Sequence, residues 1–265
     1  MHQGAWLLWA LCGGLVAITT TNPFYLVPLL AVAWVVHAAC GRPGPQSRSF
    51  RIFLIFGALT ICTRTALVLF LPDIQFGNVV EAGLEGLRLA VLLTIFGTFN
   101  TVSDPFGVLR LSPRRFHEPA LAAALALSMA PRTIAAVGVV REAQRMRGIE
   151  VRRFRSLPAL AVPVLETGME EAVTLAESMD ARGHGRVPRT RYRPERWGLQ
   201  ATAVSLVSVM ATVISVGALL GDDPSLAMST FPIMWPEVSP ALLAGVLALS
   251  LPAWLPRSEP ARAPL

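Results

Sequence analysis

Seven stretches of the chain are long, apolar and almost free of charge: residues 4–18, 23–40, 50–71, 83–101, 121–140, 197–221 and 238–255. A helix needs about 20 apolar residues to cross the hydrocarbon core of a bilayer. The pattern predicts an all-α integral membrane protein with about six transmembrane helices. The first stretch is short but uncharged, and the second follows an Asn22-Pro23 turn. The third is interrupted by Arg51 and Arg64, and the fourth is apolar after Glu85 and Arg88. The stretches 197–221 and 238–255 carry no charge, whereas 121–140 is interrupted by Pro131-Arg132. The first stretch lacks the basic n-region and small-residue cleavage site of a signal peptide, and a second apolar segment follows at once, so it reads as the first span.

The arginines orient these spans. The connector after residue 40 holds Arg42, Arg48 and Arg51, and residues 102–196 hold sixteen arginines. The connector after residue 71 holds Asp73 and Glu81, and that after residue 221 holds Asp222, Asp223 and Glu237, with no arginine in either. The tail carries Arg257 and Arg262. Arginine-rich connectors stay on the cytoplasmic side, which puts both termini there in a multi-pass membrane protein. The same rule settles 121–140. A simple crossing would put Arg110, Arg114 and Arg115, or the twelve arginines from Arg141 to Arg196, outside. The expected organisation is four spans in 1–102, a cytoplasmic module of long helices in 103–196, and two spans with a short tail in 197–265.

Two long helices can be drawn in that module. One opens near Pro119, bends at Pro131 and runs to Arg147, about 45 Å at 1.5 Å per residue, with Gly148 as its stop. The other opens between Ser156 and Pro163 and runs to Arg182, with Gly183 as its stop. Leu165, Met169, Ala172, Ala176 and Met179 recur along the second at helical spacing, with Glu166, Glu170, Glu177 and Asp180 on another face, an amphipathic pattern. The two ends align without gaps at Glu, Arg and Gly: Glu142 to Gly148 and Glu177 to Gly183. Each suits a helix C-cap, with glycine in the left-handed position and arginine against the negative end of the dipole. Their repetition 35 residues apart in one module adds a second possibility. An arginine at each helix tip could dock into a partner.

Composition sharpens the reading. Hydrophobic residues make up 53% and charged residues 15% of 265, against about 25% charged in a soluble domain. Mean hydropathy is +0.54. All 23 basic residues are arginine. Without lysine the chain has no P-loop and no Schiff-base chemistry, so it is not itself a P-loop ATPase. No enzyme activity and no cofactor are expected.

The run from Ser103-Asp-Pro to Arg182-Gly183-His-Gly resembles the transmembrane (T) component of energy-coupling factor (ECF) transporters, the CbiQ/EcfT family. Trp6-Leu-Leu-Trp9, Asn22-Pro23 and Glu85-Gly-Leu-Arg88 also resemble members of that family. The resemblance covers about residues 1–220, and the last span looks like an addition. It implies two coupling helices ending in x-Arg-x motifs, matched here by Met146-Arg147-Gly148 and Ala181-Arg182-Gly183. The first departs from the family pattern in having Met146 where alanine is common. It further implies two ABC-type ATPase subunits, or one fused chain, docking on these motifs. A membrane-embedded substrate-binding S component, for a vitamin or a transition-metal ion, would complete the importer.

Other residues invite chemistry less strongly. Arg64, mid-span, is costly unless paired, and Glu85 and Arg88 are candidates for a polar network with it, as a lock between two spans or an ion path. His37 and Cys40 have metal-compatible spacing but no further ligands in view, and Cys12, Cys40 and Cys62 suggest neither disulfides nor zinc. His117-Glu118 lacks the second histidine of a metalloprotease motif and reads as a helix start. Gly217 and Gly221 have GxxxG spacing. The basic balance suits anionic lipid contact through the arginines of 186–196, and not nucleic acid, because aromatics are scarce among them. A stand-alone secondary transporter or channel would show broken midplane helices and span repeats, and an integral-membrane enzyme a convergent catalytic cluster. Neither set of features is evident in the chain.

Overall fold

The computed structural model describes residues 2–41, 45–70, 76–148, 157–184, 197–228 and 235–255, and these residues are helical with no strand among them. The helices are α1 (Gln3–Thr19), α2 (Pro23–Cys40), α3 (Pro45–Leu69), α4 (Phe76–Val102), α5 (Pro105–Arg110), α6 (His117–Met146), α7 (Leu157–Ala181), α8 (Leu199–Leu220), α9 (Pro240–Ala248) and α10 (Leu251–Trp254). Three starts repeat one local logic. Asn22 and Asp104 each accept the N–H two residues on, at 2.9 and 3.2 Å, with proline at the first helical position. His2 Nδ1 accepts the Gly4 N–H at 3.1 Å.

The chain divides into two compact units, residues Met1–Leu111 with Glu195–Leu265, and Ser112–Pro194. The first break therefore falls after α5 rather than at residue 103. Gly107 of α5 lies against Gln3, whose Oε1 accepts the Asp104 N–H at 3.3 Å.

In the first unit α1 packs on α8 and α4, α2 on α4, α9 and α10, and α3 on α4. The core is Trp9, Val16, Tyr25, Leu26, Leu29, Val36, Val91, Ile95, Val204 and Leu249, all nearly sealed from solvent. The helix ends gather into two sets. In one, Thr20 Oγ1 and the Thr21 N–H donate to the Leu226 carbonyl, and Asn22 Nδ2 donates to the Ser225 and Glu237 carbonyls. Tyr25 Oη there accepts the Ser239 N–H. In the other, His2 lies on Trp197 with ring centroids 4.6 Å apart, His37 Nδ1 is 3.0 Å from Thr101 Oγ1, and Cys40 Sγ donates to the Pro252 carbonyl.

The segment 238–255 runs from the first set of ends to the second, but not as the single helix expected. It breaks into α9, of 9 residues, and α10, of 4. Pro252 has no N–H to continue the ladder. The Ser250 N–H turns back to Leu247, and the Ala253 N–H to Ser250. The Leu249 carbonyl is thereby released, and Trp9 Nε1 donates to it at 2.9 Å. Among the described residues, four helical segments have the length and hydropathy to cross a membrane: Pro23–Cys40, Ser49–Leu69, Glu118–Met146 and Leu199–Leu220. α1 is apolar but shorter, and α4 is 27 residues long with Glu81, Glu85 and Arg88 in its first half.

The second unit is built from α6 and α7. α6 runs through Pro131 for 30 residues, and none of its apolar window is buried. On α7 the predicted apolar stripe is open. Leu165 and Met169 are 64% and 70% exposed, and Val162 and Val173 continue that open stripe. The buried α7 positions are Leu160 and Val164. An open groove of about 480 Å³ separates the helices, lined on α6 by Met129 and Arg132 and on α7 by Thr167, Glu171, Leu175 and Ser178, with Glu170 at its wall.

Candidate functional site

Both matching helix ends close on a left-handed glycine. α6 stops at Met146 and Arg147 is its C-cap, with its N–H donating to Ala143 and Gln144 at 3.2 and 3.1 Å. Gly148 follows at φ +77° and donates to Arg145. α7 stops at Ala181, and Arg182 donates to Ser178. Gly183, at φ +74°, donates to Asp180, and His184 donates to Met179 at 2.9 Å. Those last two bonds make the Schellman pair, a six-to-one and a five-to-two closure that needs a left-handed residue at Gly183. Only glycine takes that conformation without steric cost.

Both arginines are exposed, as are Ala181 and Gly148, and Met146 is 83% exposed. Neither guanidinium is tied down by an ion pair among the described residues. Each tip therefore offers a free planar fork of five N–H donors, suited to carboxylate or carbonyl acceptors.

Of the expected intramembrane network, two members meet. Arg64 Nη1 lies 3.0 Å from Glu85 Oε2, joining α3 to α4, while Arg88 is half-buried and makes no ion pair among the described residues. Nor is Arg64 at mid-span. It stands little more than one turn before α3 ends at Leu69. The register of the bundle gives its depth. A Cβ on Gly13 of α1 would meet Ile95 of α4 at 3.5 Å, and Thr98 Oγ1 donates to the Ala33 carbonyl of α2. Following α1 from Gly13 to its end at Thr19, and α4 back from Ile95 by the same rise, arrives at Leu89. Going back from Ala33 to Asn22 on α2 arrives at Leu87 of α4. The Glu85–Arg88 turn is thus level with the Thr20–Asn22 end of the bundle.

The remaining candidates have structural surroundings. His37 stacks on Phe50 with ring centroids 3.5 Å apart and bonds Thr101, while Cys40 bonds Pro252, so the two do not converge. No group of three or more His, Cys, Asp or Glu that could hold a metal occurs among the described residues. Cys12, Cys40 and Cys62 form no disulfide. α6 begins at His117, with Glu118 in its first turn. A Cβ on Gly217 would meet nothing within 4 Å, and Gly221 is the C-cap of α8, so that GxxxG spacing does not mark a helix contact. The close approach is elsewhere. A Cβ on Gly86 would stand 2.8 Å from Ile61 Cα, and one on Gly97 would stand 2.9 Å from Phe53 Cβ, where α3 crosses α4. The glycines facing α3 are spaced irregularly enough that no motif announces them. The arginines of 186–196 lie outside the described residues.

No family model matches the chain. Curated relatives do. An energy-coupling factor transporter transmembrane protein EcfT from Bacillus selenitireducens is 29% identical over 154 residues, 52% of this chain and 58% of the relative. The protein of the same name from Exiguobacterium sibiricum is 28% identical over 201 residues, 64% and 71% of the two chains. That from Thermanaerovibrio acidaminovorans is 32% identical over 146 residues, 48% and 54%. The chain thus spans little more than half the length of two of these relatives. This repeated similarity, together with the apolar helical bundle, supports a relationship of the chain to the EcfT/CbiQ family of T components of ECF transporters.

Proposed function

We propose that this protein is the scaffold and coupling subunit of an ECF-type ABC importer. It receives ATPase motion at Arg147 and Arg182 and passes it to a substrate-binding S component that takes up a vitamin or a transition-metal ion. The observation that carries the reading is the pair of helix tips, each with an exposed arginine at the C-cap and a left-handed glycine behind it. A glycine-closed tip holds the arginine at a fixed exit from the helix, so displacement of the tip displaces the helix as a rod. Guanidinium donors would grip carboxylate or carbonyl acceptors in the grooves of two ATPase subunits, or of one fused chain.

Sidedness supports this arrangement. The helix ends near His37, Cys40 and Thr101 adjoin the arginine-bearing connectors, whereas those near Thr20–Asn22 adjoin connectors that are uncharged or acidic and hold no arginine. The positive-inside rule then makes the first group cytoplasmic, along with both termini and both coupling tips. The open apolar stripe of α7, Val162, Leu165, Met169 and Val173, is a surface for the hydrophobic S component to rest against. ATP hydrolysis belongs to the partners. The arginines of 186–196 and the bilayer's anionic headgroups would hold the module near the membrane.

The test is co-purification in mild detergent from the native membrane, wild type against the Arg147→Ala/Arg182→Ala double variant. ABC-type ATPase subunits with a small hydrophobic membrane protein should accompany the wild type, and the ATPases should be lost from the variant. A wild-type chain that transports solute alone in liposomes would overturn the reading.

A further inference from the structure

α7 holds five acidic residues and no basic one, in a chain whose formal net charge is +6. Glu166, Glu170, Glu171, Glu177 and Asp180 are all exposed, and none makes an ion pair among the described residues. Three of them are placed by the open apolar stripe. Glu166, Glu170 and Glu177 each follow one of its residues, Leu165, Met169 and Ala176. At 3.6 residues per turn these carboxylates form a row along one edge of the stripe. Val162 and Val173, both more than half exposed, stand four residues before Glu166 and Glu177 and join the stripe to the row. Buried Leu160 and Val164 mark the α6 side. Glu171, seven residues after Val164, shares that side and lines the groove.

The combination selects what covers this face. An open apolar stripe marks a contact surface. Anionic headgroups repel a row of carboxylates, which disfavours lipid as the cover. A membrane protein of the same bilayer has the matching pattern, since its spans are apolar and its cytoplasmic connectors gather Lys and Arg. Its apolar surface would bury the stripe, and its cations would meet the row at the rim, where charge sets orientation and encounter rate.

We propose that the open face of α7 docks the cytoplasmic edge of a membrane-embedded partner through that partner's basic rim, with Lys or Arg side chains lying on Glu166, Glu170 and Glu177. The inference rests on the coupling-subunit reading, in which α7 is cytoplasmic and meets the S component.

The experiment is co-purification of the tagged full-length protein in mild detergent from its native membrane, wild type against Glu166→Gln/Glu170→Gln/Glu177→Gln. Glutamine keeps the helix propensity of glutamate. The triple variant should retain the ATPase subunits and recover about tenfold less of the small hydrophobic membrane protein, through the loss of several exposed charge contacts together. Raising salt from about 0.1 M to about 1 M shortens the screening length from about 10 Å to about 3 Å. It should bring wild type down toward the variant and leave the variant unchanged. Glu171→Gln, on the groove side of the same helix, should match wild type. Equal recovery of the membrane protein by wild type and the triple variant would overturn the basic rim and leave the coupling reading intact. Loss of the ATPases along with it would also overturn the inference, because the row would then serve the whole module. So would a second, differently tagged copy of this chain in the membrane protein's place. A wild type that recovers neither partner would sink the coupling reading and this inference together.

Discussion

The indole of Trp9 on α1 donates to the carbonyl of Leu249, 240 residues further along the chain, at 2.9 Å and out of reach of solvent. The bond exists because the last crossing segment breaks. Pro252 ends the ladder, the Leu249 carbonyl loses its helical partner, and an unpaired carbonyl in this interior would be costly. Trp9, itself 2% exposed, satisfies it and ties the last segment to the first.

Trp9→Phe keeps an aromatic ring in the core but leaves that carbonyl without a donor. The expected cost is about 1–3 kcal/mol, read as a lower unfolding midpoint in detergent. Trp254, 79% exposed on the same segment, is the control. Its replacement by phenylalanine should change stability by less than about 0.5 kcal/mol.

How much of this was legible in the chain follows from what each feature depends on. α2 begins and ends where the sequence places it, Pro23 to Cys40, since its signals are local: an Asn22 cap, a proline in the first turn and Gly41 after the end. The resemblance of the two helix ends is likewise local, and both close on left-handed glycines. The break at Ser250 was not legible, because 238–255 is apolar throughout and a proline early in a short helix looks the same as one that kinks a long one. The surroundings of the α7 stripe were not legible for a different reason. Periodicity finds an apolar stripe but not what lies against it, and here that stripe, Leu165 and Met169, is open. Arg64 counted as mid-span for want of register. Only the contacts of Gly13 with Ile95 and Thr98 with Ala33 give its depth.

Asn22 should be the most sensitive polar position in the first unit. It is fully buried, accepts the Phe24 N–H as the α2 cap, and donates to the carbonyls of Ser225 and Glu237. Asn22→Ala removes the cap and leaves two carbonyls unpaired, a loss of about 2–4 kcal/mol. Asn22→Asp keeps the cap acceptor but has no amide to donate. Hydrogen exchange separates the effects: both variants should loosen the backbone around Ser225 and Glu237, and the alanine variant alone should also fray the start of α2.

Gly86→Ala should pry α3 from α4. The added methyl would stand 2.8 Å from Ile61 Cα, a backbone atom that cannot swing aside, so the expected cost is about 1–3 kcal/mol. Gly138→Ala is the contrast. Nothing lies within 4 Å of its Cβ position in mid-α6, and the substitution should be neutral or stabilise by up to about 1 kcal/mol through helix propensity. Comparing thermal unfolding of the two separates the contact from the propensity, since the propensity gain is common to both.

The two arginine-bearing helix tips make the last prediction. The arginine side chain and the glycine behind it contribute in separable ways. Arg147→Ala and Arg182→Ala leave the caps closed, because those hydrogen bonds are made by backbone atoms. Each should leave membrane insertion and unfolding within about 0.5 kcal/mol of wild type while weakening ATPase association. Gly183→Ala keeps the arginine but forces a Cβ into φ +74°, at a cost of about 1–2 kcal/mol. The Schellman bonds from Gly183 and His184 then open, and the arginine loses its fixed exit. If side-chain donors alone grip the partner, Gly183→Ala should bind ATPase subunits nearly as well as wild type. If the rigid tip also transmits force, the variant should bind but show uncoupled ATPase turnover, measured as hydrolysis per substrate imported in reconstituted vesicles. Full transport by the Arg147→Ala/Arg182→Ala double variant would remove both arginines from the coupling path and return the two tips to simple helix caps.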